Sequence, residues 1–416
     1  MKICIVTDGA LSSTYGGGQV YCRNIIDEFS LQYLNLNLQV IVISSEPADN
    51  NNKPDCYKGI PIYKGITEEE IKKILVKEKP DIVHANGNYQ TVTHICNKNG
   101  IKSIITIHDS RWMCPNVTYL DTNEKICNQK TSVKQCLKCE LKQIRFGQLA
   151  YPFVKSIPIS KYIEIGEKIE DKPFVWYLTP VLGAALRVQK KIDLWNDIIT
   201  NANAVIAISN RMARMSRLNG LPVEKMFLVH NGTPKHSIVE FPTDNQIIKF
   251  YYTGRICYSK GIHILTKAFH HIKNNNIELH LIGGGDSYRD RLIKKYRKDT
   301  RIIWHNEINH NEIYYYTKDM HVFVHPSIAN ETCSLSILEA LSVGKFVIAT
   351  KCGGPEDLIK EDINGWLVNP NDIIQLQSRI IQYLKHPITP QKLIFHNITD
   401  HIHHLVEVYS KVVYDS

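Results

Sequence analysis

Two carboxylates stand on either side of a predicted helix start in the stretch Glu331-Thr-Cys-Ser-Leu-Ser-Ile-Leu-Glu339. The free amides of a helix N-terminus attract phosphate, and carboxylates bind hydroxyl groups, so the stretch suits a ligand that carries both. A structural alternative exists for the second carboxylate. Ser336 and Glu339 have the spacing of a capping box, in which the glutamate would only close the helix N-terminus.

Two cations provide a second candidate for ligand binding. Arg255 and Lys260 lie on a predicted loop that is bounded by Gly254 and Gly261 and joins a strand to a helix. A planar guanidinium and a point-like ammonium together suit a diphosphate. Gly284 ends the next predicted strand, where the backbone can approach a flat ligand such as a base. The alternative is that both cations are ordinary solvated surface charges.

The first half of the chain has two comparable sites at predicted strand ends. Gly17 and Gly18 follow the first strand and precede a helix, so their amides can approach a phosphate. The loop lacks the glycine pattern of dinucleotide-binding folds and the Gly-Lys-Ser/Thr of a P-loop. His108 ends a later strand, and strand ends face the ligand cleft in parallel sheets. Alternatively, its imidazole pairs with Asp109 at the surface.

Four of the eleven cysteines fall close together, at Cys114, Cys127, Cys136 and Cys139. Four thiolates can hold a structural zinc ion, although the intervening lengths are irregular for a zinc ribbon. An iron–sulfur site and free thiols therefore remain open. The stretch 142–155 is basic and apolar. It either touches a membrane or a lipid-linked acceptor, or it packs as a buried helix.

Strands alternate with helices in both halves, which predicts an α/β fold with doubly wound parallel sheets. A chain of 416 residues is too long for one ordinary core. The loop Asn231-Gly-Thr-Pro234 places a domain boundary near residue 235. We therefore expect a first domain over 1–235 with a cysteine-bearing insert at about 110–195, a second over 236–390, and a helix over 391–416 that crosses back to the first.

Composition excludes several classes of protein. The net charge of +9 is compatible with anionic ligands or a membrane surface, but it is too mild for a nucleic-acid-binding protein. No apolar stretch approaches the ~20 residues that span a bilayer. The first residues resemble a buried strand rather than a signal peptide, and eleven cysteines without an export signal indicate reduced thiols. We expect a cytoplasmic protein, either free or peripheral at a membrane.

Taken in order, these motifs resemble glycosyltransferase family 4. The resemblance spans nearly the whole chain and rests on the glycine loop at 16–18, His108-Asp109, Asn231-Gly232, Gly254-Arg255, Lys260-Gly261 and the Glu331-x7-Glu339 spacing. It implies the GT-B fold, in which two Rossmann-like domains face a central cleft. It also implies a nucleotide-sugar donor, such as a UDP- or GDP-sugar, and retaining transfer to a hydroxyl of a glycan or lipid-linked acceptor.

The resemblance also implies roles for individual residues. Arg255 and Lys260 would bind the donor diphosphate, Glu339 the ribose and Glu331 the sugar hydroxyls, with His108 beside the transferred sugar. The remaining donor contacts would come from backbone at Gly17, Gly18, Gly254, Gly284, Ser334, Leu335 and Ser336. The sequence departs from the family after Glu331, where Thr-Cys-Ser stands in place of the frequent Gly-Phe-Gly.

A double displacement would need a nucleophilic carboxylate about 5 Å from its acid partner, and no acidic residue is evidently paired with Glu331. Our hypothesis is a front-face transfer in which Arg255 and Lys260 stabilise the leaving diphosphate. No metal ion is required for this catalysis. Two rival functions remain: a GT-B epimerase or phosphorylase that needs no acceptor hydroxyl, and an inactive homologue that binds nucleotide or glycan.

Overall fold

The computed structural model describes residues 1–11, 16–32, 35–47, 54–144, 151, 161, 179–234, 247–388 and 396–415. Its strands form two sheets. The first sheet contains β1 (Lys2–Val6), β2 (Gln39–Ser44), β3 (Asp55–Tyr57), β4 (Ile60–Lys64), β5 (Ile82–Ala85), β6 (Lys102–Ile107), β7 (Ala204–Ala207) and β8 (Met226–Leu228). The second contains β9 (Ile248–Thr253), β10 (Ile277–Ile282), β11 (Ile302–His305), β12 (Val322–His325), β13 (Phe346–Thr350) and β14 (Gly365–Val368).

Helices connect the strands in both halves. Those of the first half are α1 (Gly17–Gln32), α2 (Glu68–Glu78), α3 (Tyr89–Lys98), α4 (Val133–Lys142), α5 (Thr179–Asn201) and α6 (Asn210–Leu218). Those of the second half are α7 (Ile262–His270), α8 (Ser287–Tyr296), α9 (Ile313–Thr317), α10 (Leu335–Ser342), α11 (Pro355–Leu358), α12 (Ile373–Lys385) and α13 (Ile398–Tyr414). The predicted doubly wound α/β architecture is confirmed.

Strand order places a switch point at the centre of each sheet. The first sheet runs β3-β4-β2-β1-β5-β6-β7-β8, and the second runs β11-β10-β9-β12-β13-β14. The chain therefore turns in opposite directions on the two sides of β1 and of β9. A crevice opens at such a point beyond the carboxyl ends of the strands, which is where ligands bind in open α/β sheets. The glycine loop follows β1 and the Arg255 loop follows β9.

The central strands have the continuous apolar sequence of strands that are covered on both faces. Residues 3–6 of β1 are completely buried, and so are residues 346–349 of β13. An antiparallel partner occurs at one edge, where β3 pairs with β4 through Cys56 and Pro61. This hairpin was not predicted, because β3 is short and mostly exposed and so lacks an apolar signature.

The C-terminal helix lies close to its expected position. A helix was expected over 391–416, and α13 spans Ile398–Tyr414, after α12 has ended at Lys385. Helix α13 packs on α1 and adds its apolar face to the cluster around β1 and β2. Helix α13 also contacts β5, where the Tyr409 hydroxyl lies 2.6 Å from His84 Nδ1.

The proposed division of the chain at residue 235 remains a prediction, because 235–246 lie outside the described residues. Much of the cysteine-bearing insert and of the basic stretch 142–155 also lies outside them. None of the described helices is both long and apolar enough to cross a membrane.

Candidate active site

Lys260 and Glu331 form an ion pair at the carboxyl edge of the second sheet. Lys260 closes a single 3-10 turn, Tyr258–Lys260, and its Nζ lies 2.7 Å from Glu331 Oε1. The Ser327 hydroxyl donates to the same oxygen at 2.7 Å, and His325 Nε2 lies 3.9 Å away. The two side chains are 24% and 12% exposed. The residues predicted for diphosphate and sugar thus contact each other in the free protein.

The surroundings of Glu331 favour its charged form. Burial alone raises the pKa of this carboxyl, but the Lys260 ammonium and the hydrogen bonds from Lys260 and Ser327 bring it below the usual value. Burial lowers the pKa of the His325 imidazole to about 4, so this ring is neutral at pH 7. Lys260 therefore supplies the positive charge that compensates the carboxylate.

Arg255 is an exposed cation at the end of β9. Its side chain is exposed and makes no hydrogen bond or ion pair with another described residue. The backbone of its loop is fixed, because the Ile256 amide donates to the Gly284 carbonyl at 2.7 Å and the Gly254 amide to the Ile282 carbonyl at 3.0 Å. A fixed loop with a free guanidinium is well suited to an anionic ligand.

Glu339 does not close a capping box. The N-cap of α10 is Ser334, whose side chain makes no capping bond, and Ser336 lies inside the helix. The two serine hydroxyls lie 3.0 Å apart. Glu339 instead directs Oε1 toward His310 Nε2 at 2.7 Å. The structural alternative for Glu339 is therefore wrong, because the helix begins before the serine that would have capped it.

His310 is a site residue that the sequence did not identify. Its hydrogen bond to Glu339 raises the pKa of the imidazole, against the lowering effect of burial. The two residues border a cavity of about 260 Å³ between α1 and the second sheet. Val20 and Arg23 of α1 line one side, and Tyr251 lies on the other. The pocket thus combines apolar walls with a few convergent polar groups, as small-molecule sites commonly do.

The end of β6 meets the Glu331 loop across the cleft. The Thr332 hydroxyl donates to the His108 carbonyl oxygen at 2.6 Å. The His108 ring lies 4.6 Å from the Tyr21 ring, between centroids, and its Nε2 lies 2.9 Å from Asn86 Oδ1. Burial lowers the pKa of His108 to about 3, so the imidazole is neutral at pH 7. A strand end of the first sheet therefore lies beside the candidate sugar-binding loop.

The surface alternative for His108 required its imidazole to pair with Asp109. The Asp109 carboxylate pairs with a different residue. Its Oδ2 accepts from Arg111 Nε at 2.6 Å. Asp8 follows β1, and no sequence motif identified it. Its carboxylate interacts electrostatically with both Asp109 and Arg111. Burial raises the pKa of the Asp8 carboxyl, while the Arg111 guanidinium lowers it less strongly. These carboxylates lie at the ends of the two strands that carry the glycine loop and His108.

The glycine loop reaches the start of α10. A β-carbon added at Gly17 would lie 3.9 Å from Leu335 Cδ1, in ordinary contact distance. A β-carbon at Gly18 would lie 2.8 Å from Asp8 Oδ2, and one at Gly284 would lie 2.9 Å from Glu307 Oε2. Of the predicted donor-contacting glycines, Gly17 therefore lies opposite the second sheet, and Gly284 lies beside the Arg255 loop.

The four clustered cysteines carry free thiols. Cys114 is buried and the other three are half-buried. Burial raises the pKa of Cys114 to about 12 and that of Cys136 to about 11. Within the described part of the chain, no group of three or more His, Cys, Asp or Glu side chains is placed to hold a metal ion. The described geometry gives the predicted zinc ion no support.

Two doubly wound sheets around a cleft with cationic loops define the GT-B class of fold. The structure of sucrose-phosphate synthase from Thermosynechococcus elongatus matches with a TM-score of 0.67 and 17% identity, and covers 100% of both chains. The structure of HepE from Anabaena in complex with UDP-glucose matches with a TM-score of 0.64 and 15% identity, over 99% of this chain and 100% of that one. The predicted GT-B fold is confirmed.

Residues 236–397 match the model of the family described as Glycosyl transferases group 1. Lipopolysaccharide 1,6-galactosyltransferase of Escherichia coli (strain K12) is 26% identical over 200 residues, which cover 45% of this chain and 54% of the relative. The chain spans about half the length of the curated relatives it matches.

Proposed function

We propose that the protein is a retaining glycosyltransferase of family 4 that moves a sugar from a nucleotide-diphosphate-sugar to a hydroxyl of a glycan or lipid-linked acceptor. The observation that carries the proposal is the Lys260–Glu331 pair on the loops at the switch point of the second sheet, where Arg255 of the same loop as Lys260 has no side-chain partner among the described residues. The matching family and the galactosyltransferase relative support the same class of reaction.

The ion pair gives a simple account of donor binding. In the free protein Lys260 compensates the charge of Glu331 at a distance of 2.7 Å. A bound diphosphate offers Lys260 a second anionic partner, so the carboxylate can accept hydrogen bonds from sugar hydroxyls instead. Arg255 binds the same diphosphate through its planar fork. Donor binding thus replaces the Lys260–Glu331 ion pair with contacts from Lys260 and Arg255 to the diphosphate and from Glu331 to the sugar hydroxyls.

The nucleoside is assigned to the cavity beside Glu339. The oxygen Oε1 is occupied by His310 at 2.7 Å, which leaves Oε2 for the ribose hydroxyls. His310 therefore fixes the direction of the carboxylate. The apolar wall that includes Tyr251 and Val343 supplies a surface for the base of a UDP- or GDP-sugar.

The transfer follows the front-face course expected from the sequence. The bond from the anomeric carbon to the leaving phosphate oxygen breaks, and the acceptor oxygen bonds to that carbon on the same face. The acceptor proton passes to the leaving phosphate oxygen. Arg255 and Lys260 stabilise the charge that develops on the diphosphate. His108, neutral and held by Asn86, lies beside the sugar, and no step is assigned to a metal ion.

The acceptor side of the proposal rests on the first sheet. Asp8, Asp109 and Arg111 lie where a hydroxyl-bearing acceptor would approach His108. The proposed location of the protein is the cytoplasm, where it is either free or peripheral at a membrane. The basic stretch 142–155 is the candidate for such a membrane contact, and most of it lies outside the described residues.

The proposal is tested by thermal unfolding with UDP-, GDP- and ADP-sugars, each alone. A donor at about 100 times its Kd should stabilise the protein by ~2.7 kcal/mol. Glu339→Ala should abolish the shift. Glu69→Ala, which removes an exposed carboxylate of α2, should retain it and serves as the matched control. The donor that shifts the wild type is then incubated with candidate acceptors.

The outcomes separate the rival functions. Sugar transfer to an acceptor hydroxyl with the anomeric configuration kept supports the proposal. A change in the sugar nucleotide without any acceptor would instead identify an epimerase, and release of a sugar phosphate in the presence of inorganic phosphate a phosphorylase. No shift with any donor would leave the inactive homologue as the better account.

A further inference from the structure

A short hairpin links the two halves of the molecule beside the candidate site. We call residues 116–128, which follow β6 in the cysteine-bearing segment, the hairpin strap. Leu120 and Ile126 form an antiparallel bridge, and the Cys127 amide donates to the Tyr119 carbonyl at 2.6 Å. The Asp121 carboxylate accepts from the amides of Asn123 at 2.7 Å and Lys125 at 3.0 Å. The turn is therefore closed by its own hydrogen bonds.

Adjacent residues of the hairpin strap belong to different cores. Tyr119, 1% exposed, packs in the cluster that includes β5 and β6 of the first sheet. Leu120, 9% exposed, packs in the cluster that includes β9 and α7 of the second sheet, where Ile126 joins it. A peptide with one side chain in each core restricts how far the two sheets can move apart at this point.

One side of the hairpin strap holds the turn that carries Lys260. The Tyr258 hydroxyl donates to Glu124 Oε2 at 2.9 Å. The Tyr258 ring stacks on His263 of α7, with centroids 4.6 Å apart and planes 8° apart. Tyr258 and Lys260 belong to the same 3-10 turn. The contact with Glu124 therefore fixes the turn from which the Lys260 ammonium extends.

The other side of the hairpin strap holds the residue before Glu331. The Asn330 amide donates to the Thr118 carbonyl at 2.9 Å. The Asn330 side chain accepts from Arg211 Nε, and Arg211 also donates to the Cys127 carbonyl at 2.8 Å through Nη2. One arginine of α6 thus joins the strap to the loop of the second sheet that carries Glu331.

We propose that the hairpin strap is a positioning element of the donor site, which sets the distance between Lys260 and Glu331 from the opposite domain. This inference rests on the proposed function. Both members of the ion pair are one or two residues from a strap contact, through Tyr258 on one side and Asn330 on the other. A donor that inserts its diphosphate between Lys260 and Glu331 needs the two side chains at the correct distance from each other. The hairpin strap sets that distance.

The Tyr258–Glu124 contact allows a test with little effect on folding, because the two side chains are 48% and 43% exposed. Tyr258→Phe removes only the hydroxyl, and Glu124→Ala removes its acceptor. Glu124→Gln keeps an acceptor oxygen at the same position and is the matched control. The double variant Tyr258→Phe/Glu124→Ala completes a thermodynamic cycle.

The probe is whichever of UDP, GDP and ADP binds the wild type, measured by titration calorimetry, with Tm recorded for every variant. Each single variant should weaken binding about fivefold, as expected for one lost hydrogen bond. The double variant should show the same fivefold loss rather than about 25-fold, and Glu124→Gln should bind like the wild type. Tm should fall by no more than about 2–4 °C, the contribution of one hydrogen bond, so every variant stays folded at the temperature of the titration.

Wild-type affinity in both single variants, or multiplied losses in the double variant, would overturn the positioning role while leaving the proposed function intact. A fall in Tm that accounts for the weaker binding would also overturn it, since the contact would then be merely structural. If the wild type bound none of the three diphosphates, the proposed function and this inference would fail together.

Discussion

Replacing Lys260 by methionine removes the charge that compensates Glu331 and keeps a side chain of similar length. The carboxylate is 12% exposed, and its remaining neighbours are the Ser327 hydroxyl at 2.7 Å and a neutral His325. Breaking a buried ion pair by removing one partner costs about 3–5 kcal/mol. Because Lys260 is 24% exposed, solvent screening places the loss near the lower end, at about 3 kcal/mol.

The loss should depend on pH. In the wild type the pKa of Glu331 is below its usual value, so the stability it contributes is present at neutral pH and lost as pH falls through the folded-state pKa. Without Lys260, burial dominates and raises the pKa of this carboxyl, so acidification relieves the variant. The difference in stability between wild type and variant should therefore be largest near about pH 7 and shrink toward about pH 4.

Thermal unfolding measures the effect. A loss of about 3 kcal/mol corresponds to a fall in Tm of roughly 6–12 °C for a domain of this size. Lys260→Met/Glu331→Gln removes both charges and should recover most of that loss, because no unpaired charge remains. Equal losses at both ends of the pH range would refute the electrostatic reasoning, and so would additive effects in the double variant.

Two further predictions concern individual residues of the second half. The pKa of His310 is raised by its bond to Glu339, so its stabilising contribution is present below the ordinary value of 6.5 and lost as pH rises through the raised value. His310→Ala should therefore lower Tm more at about pH 6 than at about pH 9, and a pH-independent loss would contradict this. Gly261→Ala should destabilise the protein by about 1–3 kcal/mol more than Gly100→Ala in chemical denaturation. The two glycines have φ of +68° and +67°, but only at Gly261 would the new β-carbon meet a carbonyl oxygen, so equal losses would refute the argument.

Much of the fold was predictable because parallel strands covered on both faces must be continuous apolar runs. Strands β1 and β13 have such runs, and the glycines and prolines between elements mark their ends. Local sequence patterns did not predict the start of a helix where two neighbouring residues could each serve as its N-cap. Ser334 and Ser336 are both acceptable helix caps by residue type, and in the structure Ser334 fills the position. The edge strand β3 was not predicted, because a strand that is mostly exposed has no alternation of apolar and polar residues.

The candidate site was predictable only as a set of separate motifs. Lys260 and Glu331 contact each other because β9 and β12 are neighbours in the sheet. The order of strands in the sheet could not be predicted from the sequence. His310 carries no local signature, since its significance comes from a partner 29 residues away. The contact between Tyr258 and Glu124 joins residues 134 positions apart, and no periodicity within either segment indicates it.

The packing of α13 on the first sheet affects how the protein folds as it is made. This helix follows every other described element, yet its Ile402 and Leu405 complete the cluster built on Ile3 and Ile5. At ~5–20 residues per second, a ribosome needs on the order of 10–35 s to reach it after β8, the last strand of the first sheet in the chain, emerges. The first sheet therefore spends that time with an uncovered apolar face, which a chaperone can bind and which favours association between nascent chains.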